Sequence, residues 1–334
     1  NFEVINLHKA KGGYGLTGDN QLVAIFDNGF NTSHNEFNGA GRTISNYNTL
    51  TNATASSFHG AAVMGILAAD NDGAGPEGVA DMADVRLYEM TSIFTSAGWA
   101  ALDAMVNDAR SQGAVVINQS FGYNTINADD LQFLIDNYSS NTTTELFQYI
   151  ISDYLVEATD NNSPDTTWFD LDGTLDSTWQ TRIDEYITAL NNYQDTGVVV
   201  QSNSNTNTNI GAAYTEIDAD LMAALPEFYS QLEEAWITAI NIEVDGASGS
   251  ESYTLMSAPC GVTAEYCLGA DGTQMAGVAI NTADYYSIGS GTSYAAPQVS
   301  GAIALLAEAF PNHTPEMLVD RLLATGQNST SLIG

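Results

Sequence analysis

Four short apolar runs constrain this chain more than any other feature: Leu22–Phe26 (LVAIF), Val85–Tyr88 (VRLY), Ala114–Ile117 (AVVI) and Val198–Val200 (VVV). Each has the length and β-branched character of a buried strand. Helical patterns lie between them. Ala61–Ala69 is a run of small and apolar residues, and Ala97–Ala109 is amphipathic and closed by Gly113. Strands that alternate with helices predict an α/β fold of three layers, a mostly parallel central sheet with helices on both faces. Sites in such sheets collect at the carboxyl ends of the strands. Towards the C-terminus, Thr292–Ala309 reads as a long buried helix. Thr314 and Pro315 then open another as N-cap and first helical residue, and Gly326 closes it.

A chain of 334 residues buries roughly three quarters of its unfolded surface when it folds as one domain, so a stable core needs no staples. No apolar run reaches the roughly 20 residues of a membrane helix. The sequence opens without a signal-peptide pattern, and any targeting segment is expected to lie outside it. The charge balance is extreme, with 41 Asp and Glu against 7 Lys and Arg, a net charge of −34. That excludes nucleic acid as a partner, because phosphate would be repelled. Salt would screen the self-repulsion, so a saline or marine setting is one reading. Plain solubility or divalent-cation binding accounts for the charge equally well. The stretch 123–196 is densely acidic, with Arg182 its only basic residue. It carries helical patterns at Asp129–Tyr138, Glu145–Leu155 and Trp179–Asn192, and reads as an insertion within a single domain spanning 1–334. The only cysteines, Cys260 and Cys267, are seven positions apart. In an exported protein that spacing suits a small disulfide loop, with free thiols as the alternative, and too few Cys or His lie nearby for zinc.

Peptide hydrolysis by a serine needs a hydroxyl, a base to take its proton, an acid to orient the base, and donors for the oxyanion. Three segments supply such groups in the order Asp, His, Ser. Asp27 ends a buried strand in VAIFDNG. His59 opens the helical run FHGAAVMGILAA. Ser293 lies in GTSYAAP, where a helix begins and backbone amides point at the side chain. Taken singly, each has an ordinary explanation: a strand-end turn acid, a structural histidine, an N-cap serine. The set of three is specific.

These segments closely resemble the boxes of the subtilisin-like serine proteases. DNG resembles their Asp box, HGAAVMGILAA their His box and SGTSYAAPQVSGAIALL their Ser box. GVADMADVRLYEM and NQSFG are similar to further family strands. The resemblance implies Asp27 as orienting acid, His59 as general base and Ser293 as the nucleophile that forms an acyl-enzyme. It also implies an oxyanion asparagine within VVVQSNSNTNTN. Asn205 takes that place when aligned from Gly197, and Asn203 is its rival because the glycine that would fix the register is missing. An extended peptide substrate is expected to bind along Ser120, Phe121 and Gly122, with Ser202 and Ser204 on the wall before the asparagine. Phe121 read simply as core is the alternative. The chain departs from the family pattern at Asn28, Ala61 and Ala62, which leaves the three catalytic side chains intact.

CGVTAEYCLGADG and FPNHTPEMLVDRLLATG resemble segments of subtilases that are passenger domains of Gram-negative autotransporters. This implies a secreted or cell-surface protein whose full length would add a signal peptide and an outer-membrane barrel. No membrane contact is expected in this segment, and the partner is a peptide or protein substrate. No cofactor is needed for the chemistry. Structural calcium is common in the family, and Asp70-Asn71-Asp72-Gly73 is a candidate loop, with a solvated turn as the alternative and no metal ligands assigned. Two other functions compete. One is a catalytically weak surface binding or adhesion module that keeps the fold. The other is the sedolisin branch, which pairs Glu with Asp, and which HGAAVMG and the Asn-rich stretch argue against.

Overall fold

Residues whose side chains alternate between two buried faces build the centre of this molecule. The computed structural model describes residues 7–39, 41–50, 58–90, 96–122, 125–126, 177–205, 219–246, 251–279 and 285–326. In chain order the first elements are α1 (Leu7–Tyr14), β1 (Leu22–Asp27), β2 (Ile44–Asn46), α2 (His59–Ala68), β3 (Asp84–Glu89), α3 (Ser96–Gln112), β4 (Val116–Gln119) and β5 (Thr125–Ile126). Then come α4 (Ser177–Gln194), β6 (Val198–Ser202), β7 (Ala219–Asp220), α5 (Leu225–Phe228), β8 (Trp236–Asp245) and β9 (Ser252–Leu255). The last are β10 (Cys267–Ala270), β11 (Met275–Val278), β12 (Tyr286–Gly289), α6 (Thr292–Ala309) and α7 (Pro315–Thr325).

The main sheet runs in the order β10-β8-β6-β4-β1-β3-β2, every neighbouring pair parallel, and β9 adds antiparallel to β8. On one face, Ala24 and Phe26 of β1 join Tyr88, Ile117 and Val199 beneath α3 and α4. On the other, Val23 and Ile25 join Val85, Val116, Val198 and Val200 beneath α2 and α6. Period-two alternation with apolar side chains on both faces is what a sheet covered twice requires. The fold is the expected three-layer α/β arrangement.

The elements differ from expectation where polar residues are buried. The run expected at Ala114–Ile117 becomes a strand at Val116–Gln119, because Asn118 and Gln119 continue it although both are fully buried. Their amides are satisfied: Asn118 Nδ2 donates to Ser120 Oγ at 2.9 Å and Gln119 Nε2 to Tyr186 Oη at 2.9 Å. β8, the longest strand described, likewise contains buried Thr238 and Asn241. The helix expected at Trp179–Asn192 is α4, whose Ile183, Tyr186 and Leu190 join the same core as α3. The helices expected at Asp129–Tyr138 and Glu145–Leu155 lie outside the described residues. Gly326 does end α7, though with extended rather than left-handed backbone. Cys260 and Cys267 form a disulfide, their Cα atoms 5.8 Å apart. Among the described residues, no helix is long and apolar enough to cross a membrane.

The few cations are placed with economy. Lys11 bridges Glu77 and Asp81 at 2.5 Å each, Arg42 meets Asp70 at 2.5 Å, and Arg86 meets Asp108 at 2.6 Å. The Arg42 side chain is buried, and its guanidinium also donates to the carbonyls of Glu36, Ala68 and Asp81, which ties three segments together. With 41 acids against 7 bases, the carboxylates outnumber the basic side chains nearly sixfold, and their charges repel one another. Raising NaCl from roughly 0.1 M to 1 M shortens the screening length from about 10 Å to about 3 Å. The melting temperature followed by circular dichroism is expected to rise by at least about 1.4 °C, the shift roughly 1 kcal/mol produces in a chain of this size. A flat or falling melting temperature would show that surface repulsion does not limit stability.

Candidate active site

Asp27 stands at the carboxyl end of β1 and is buried, and the turn that follows it builds the next part of the site. The carbonyls of Asn28 and Gly29 accept from the amides of Gly60 at 2.7 Å and Ala61 at 3.2 Å. These are first-turn amides of α2, which has no side-chain cap. The turn after the acid therefore caps the helix that begins with His59. The result is a direct contact, with His59 Nδ1 2.8 Å from Asp27 Oδ1 and 2.9 Å from Oδ2. The Asn28 amide donates to Oδ1 as well, at 2.7 Å. The negative charge of Asp27 raises the pKa of His59 above its ordinary value. Burial opposes that shift and the hydrogen bond reinforces it. The Asp27 side chain is 4% exposed and that of His59 37%, so one edge of the imidazole faces solvent while the acid does not.

Ser293 enters from the opposite side, in the first turn of α6. Its helix starts at Gly291, whose φ of 152° and close approach to Asn205 both favour the absence of a side chain. Pro297 lies four residues after Ser293 and has no N–H to give to the Ser293 carbonyl. Ser120 Oγ takes that carbonyl instead, at 3.2 Å, and Ser293 Oγ donates to the Ser120 carbonyl at 3.2 Å. Asn118 links the arrangement to the sheet, since Ser300 Oγ of α6 donates to Asn118 Oδ1 at 2.9 Å. The imidazole of His59 stands against the ring of Tyr294, the residue after Ser293, with centroids 6.3 Å apart. Asp27 and His59, far apart in sequence, are thus in contact, and Ser293 is brought to the same carboxyl-terminal edge of the sheet, one residue from the tyrosine that faces His59.

The two asparagines are held differently. Asn203 is buried and uses both ends of its amide: Nδ2 donates to the carbonyls of Ala258 at 3.4 Å and Pro259 at 2.8 Å, and Oδ1 accepts from the Asp220 amide at 2.6 Å. Asn205 is exposed, and its Oδ1 accepts from Thr292 N at 2.8 Å and Thr292 Oγ1 at 3.0 Å. Thr292 Oγ1 lies 2.6 Å from the Asn203 carbonyl too. Asn205 is therefore latched beside the residue that precedes Ser293, with its amide nitrogen turned the other way. Sequence reasoning did not single out Thr292, Asn118 or Tyr294. All three lie inside quoted motifs, GTSYAAP and NQSFG, but nothing in their spacing marks them as connectors.

The expected substrate-binding residues are spread along the same edge. Ser120 touches Ser293, Phe121 packs partly against the core under α3 and α4, and Gly122 lies against the Asp220 carboxylate. Ser202 ends β6 and is buried, and the Ser204 carbonyl accepts from Ala258. In the loop considered for calcium, Asp70 is taken by Arg42 and the Gly39 amide, and Asp72 accepts from the Ala74 amide. Among the described residues, no three His, Cys, Asp or Glu side chains converge as a metal site would need.

The sequence matches the model of the subtilase family, peptidase S8, over residues 18–332. No curated protein matches it. Several solved proteases share the fold. The prenylagaramide maturation protease PagA is 17% identical with a TM-score of 0.62, covering 97% of this chain and 91% of that one. Sphericase is 19% identical with a TM-score of 0.55, covering 94% and 87%. Fervidolysin from Fervidobacterium pennivorans, a keratinolytic enzyme related to subtilisin, is 20% identical with a TM-score of 0.52, covering 94% of this chain and 40% of that one. At such identities these structures speak for the fold, while the family match speaks for the lineage across nearly the whole sequence. The chain belongs to the subtilase family and is a subtilisin-like serine peptidase.

Proposed function

We propose that this peptidase cleaves internal peptide bonds through an acyl-enzyme on Ser293, with His59 as general base and Asp27 as its orienting acid. The observation that carries the reading is the short bond from His59 Nδ1 to the buried Asp27 carboxylate, on a ring that leans against the residue next to Ser293. With Nδ1–H donated to Asp27, Nε2 is left as the acceptor. Rotation about the serine Cα–Cβ bond takes Oγ from the Ser120 carbonyl to Nε2. Oγ then attacks the peptide carbonyl carbon as its proton passes to Nε2, and the imidazolium so formed is stabilised by Asp27. The proton next goes to the leaving amine as the C–N bond breaks. Water repeats the sequence and frees the acid. The oxyanion is assigned to the Asn205 side-chain amide and the Ser293 backbone N–H, a first-turn donor without an intrahelical partner. Thr292 supports this by holding Asn205 Oδ1, which leaves Nδ2 to donate.

Ser120, Phe121 and Gly122 are the proposed edge for an extended peptide. Export is proposed from the Cys260–Cys267 disulfide, since such bonds persist in oxidising compartments. The likeness of this segment to autotransporter passengers belongs to the same reading.

A fluorophosphonate at neutral pH is expected to label Ser293, read by peptide mass spectrometry, and Ser293→Ala is expected to abolish hydrolysis of a protein substrate. An unlabelled protein at every pH favours a binding or adhesion module instead. Asn205→Ala is expected to lower kcat by about 10²–10³ with KM little changed. Asn203→Ala is expected to lose roughly 1–3 kcal/mol of stability by orphaning buried groups, with kcat kept in the folded fraction. The reverse pattern would transfer the oxyanion role to Asn203.

A further inference from the structure

Tyr294 follows the proposed nucleophile in α6 and has no part in the chemistry described so far. Its ring stands nearly perpendicular to the His59 imidazole, the planes 79° apart and the centroids 6.3 Å apart, within the range of edge-to-face aromatic pairs. Its other side is seated on β12. A Cβ at Gly289 would lie 2.2 Å from the Tyr294 hydroxyl oxygen and 2.4 Å from the carbon that bears it, so glycine makes the seat. β12 is in turn fixed to the helix that carries the histidine. It pairs with β11, and β11 packs on α2, where a Cβ at Gly277 would lie 2.8 Å from Ala62 Cβ and one at Gly65 3.0 Å from Val278. The tyrosine ring is therefore lodged between the β11–β12 hairpin and the imidazole. Burial and the charge of Asp27 both push its phenol above the ordinary tyrosine value.

The imidazole has to accept a proton from Ser293 and deliver it to the leaving amine without swinging away from Asp27. The His59 side chain is 37% exposed, and its hydrogen bonds to Asp27 restrain it through a single nitrogen. A rigid aromatic wall supplies the missing restraint. We infer that Tyr294 is a positioning residue for His59, holding the imidazole plane in line with Asp27 and Ser293. The inference rests on the assignment of those three as the catalytic groups.

The test compares Tyr294→Phe, Tyr294→Leu and Tyr294→Ala with the unaltered protein. The readouts are kcat, KM, the rate of Ser293 labelling by a fluorophosphonate, and the melting temperature. Leu and Ala are expected to lower kcat and the labelling rate by about tenfold, with KM within about twofold. Phe, which keeps the ring and removes the hydroxyl, is expected to restore both rates to within about twofold. Wild-type rates in the Leu variant would overturn the inference, as would a loss in Phe as large as in Ala, which would assign the role to the hydroxyl. If Ala fails to fold, the Leu and Phe pair decides. Failure of the unaltered protein to be labelled would instead refute the catalytic assignment, so the two failures are distinguishable.

Discussion

A carboxylate kept out of water at the end of a buried strand has to be met by donors, and here Asp27 is met by His59 and by the Asn28 amide. The rest of the site follows from that need. β1 is central in the sheet and covered on both faces, so Asp27 has little freedom to move. The Asn28–Gly29 turn that ends the strand gives its carbonyls to the first amides of α2. The same turn thus positions Asp27 and the start of the helix that carries His59. The pairing raises the affinity of the imidazole for its proton, which is what a base needs in order to take one from a serine hydroxyl.

Ser293, the proposed nucleophile, is held by a second network with a different origin. Pro297 leaves the Ser293 carbonyl without its helical partner, and Ser120 fills the gap. Ser120 is bonded to Asn118, and Asn118 to Ser300, about two helical turns beyond Ser293. A fully buried polar chain of this kind costs stability wherever a member is unpaired, and fixes a single geometry when all are paired. It joins β4 to α6 at the point where Ser293 leaves the helix start. Thr292 makes the matching connection on the other side, from α6 to Asn203 and Asn205.

Much of this was legible in the residues alone. The runs at 22–26, 85–88 and 198–200 became strands in place because nearly all of their side chains are apolar, Arg86 excepted. Asp27, His59 and Ser293 were legible because each sits in a motif of small residues at an element's end. Elements that bury polar groups were harder to read. Asn118 and Gln119 in β4, and Thr238 and Asn241 in β8, look like loop or surface residues until their partners are known, and those partners are distant in sequence. The choice between Asn203 and Asn205 was open for the same reason, since it turns on which amide Thr292 and the 258–259 carbonyls occupy. Tyr294 had no signal of its own, because its role depends on a missing side chain at Gly289.

The central claim is that Asp27 and His59 work as one unit with Ser293. The most direct measurement is the titration of the His59 imidazole by NMR in the unaltered protein and in Asp27→Asn. With the carboxylate present, the pKa is predicted to lie above the ordinary histidine value of about 6.5. With the charge removed, burial is the main influence left, and the pKa is predicted to fall to or below that value. An imidazole that titrates at its ordinary value in both proteins would contradict the account.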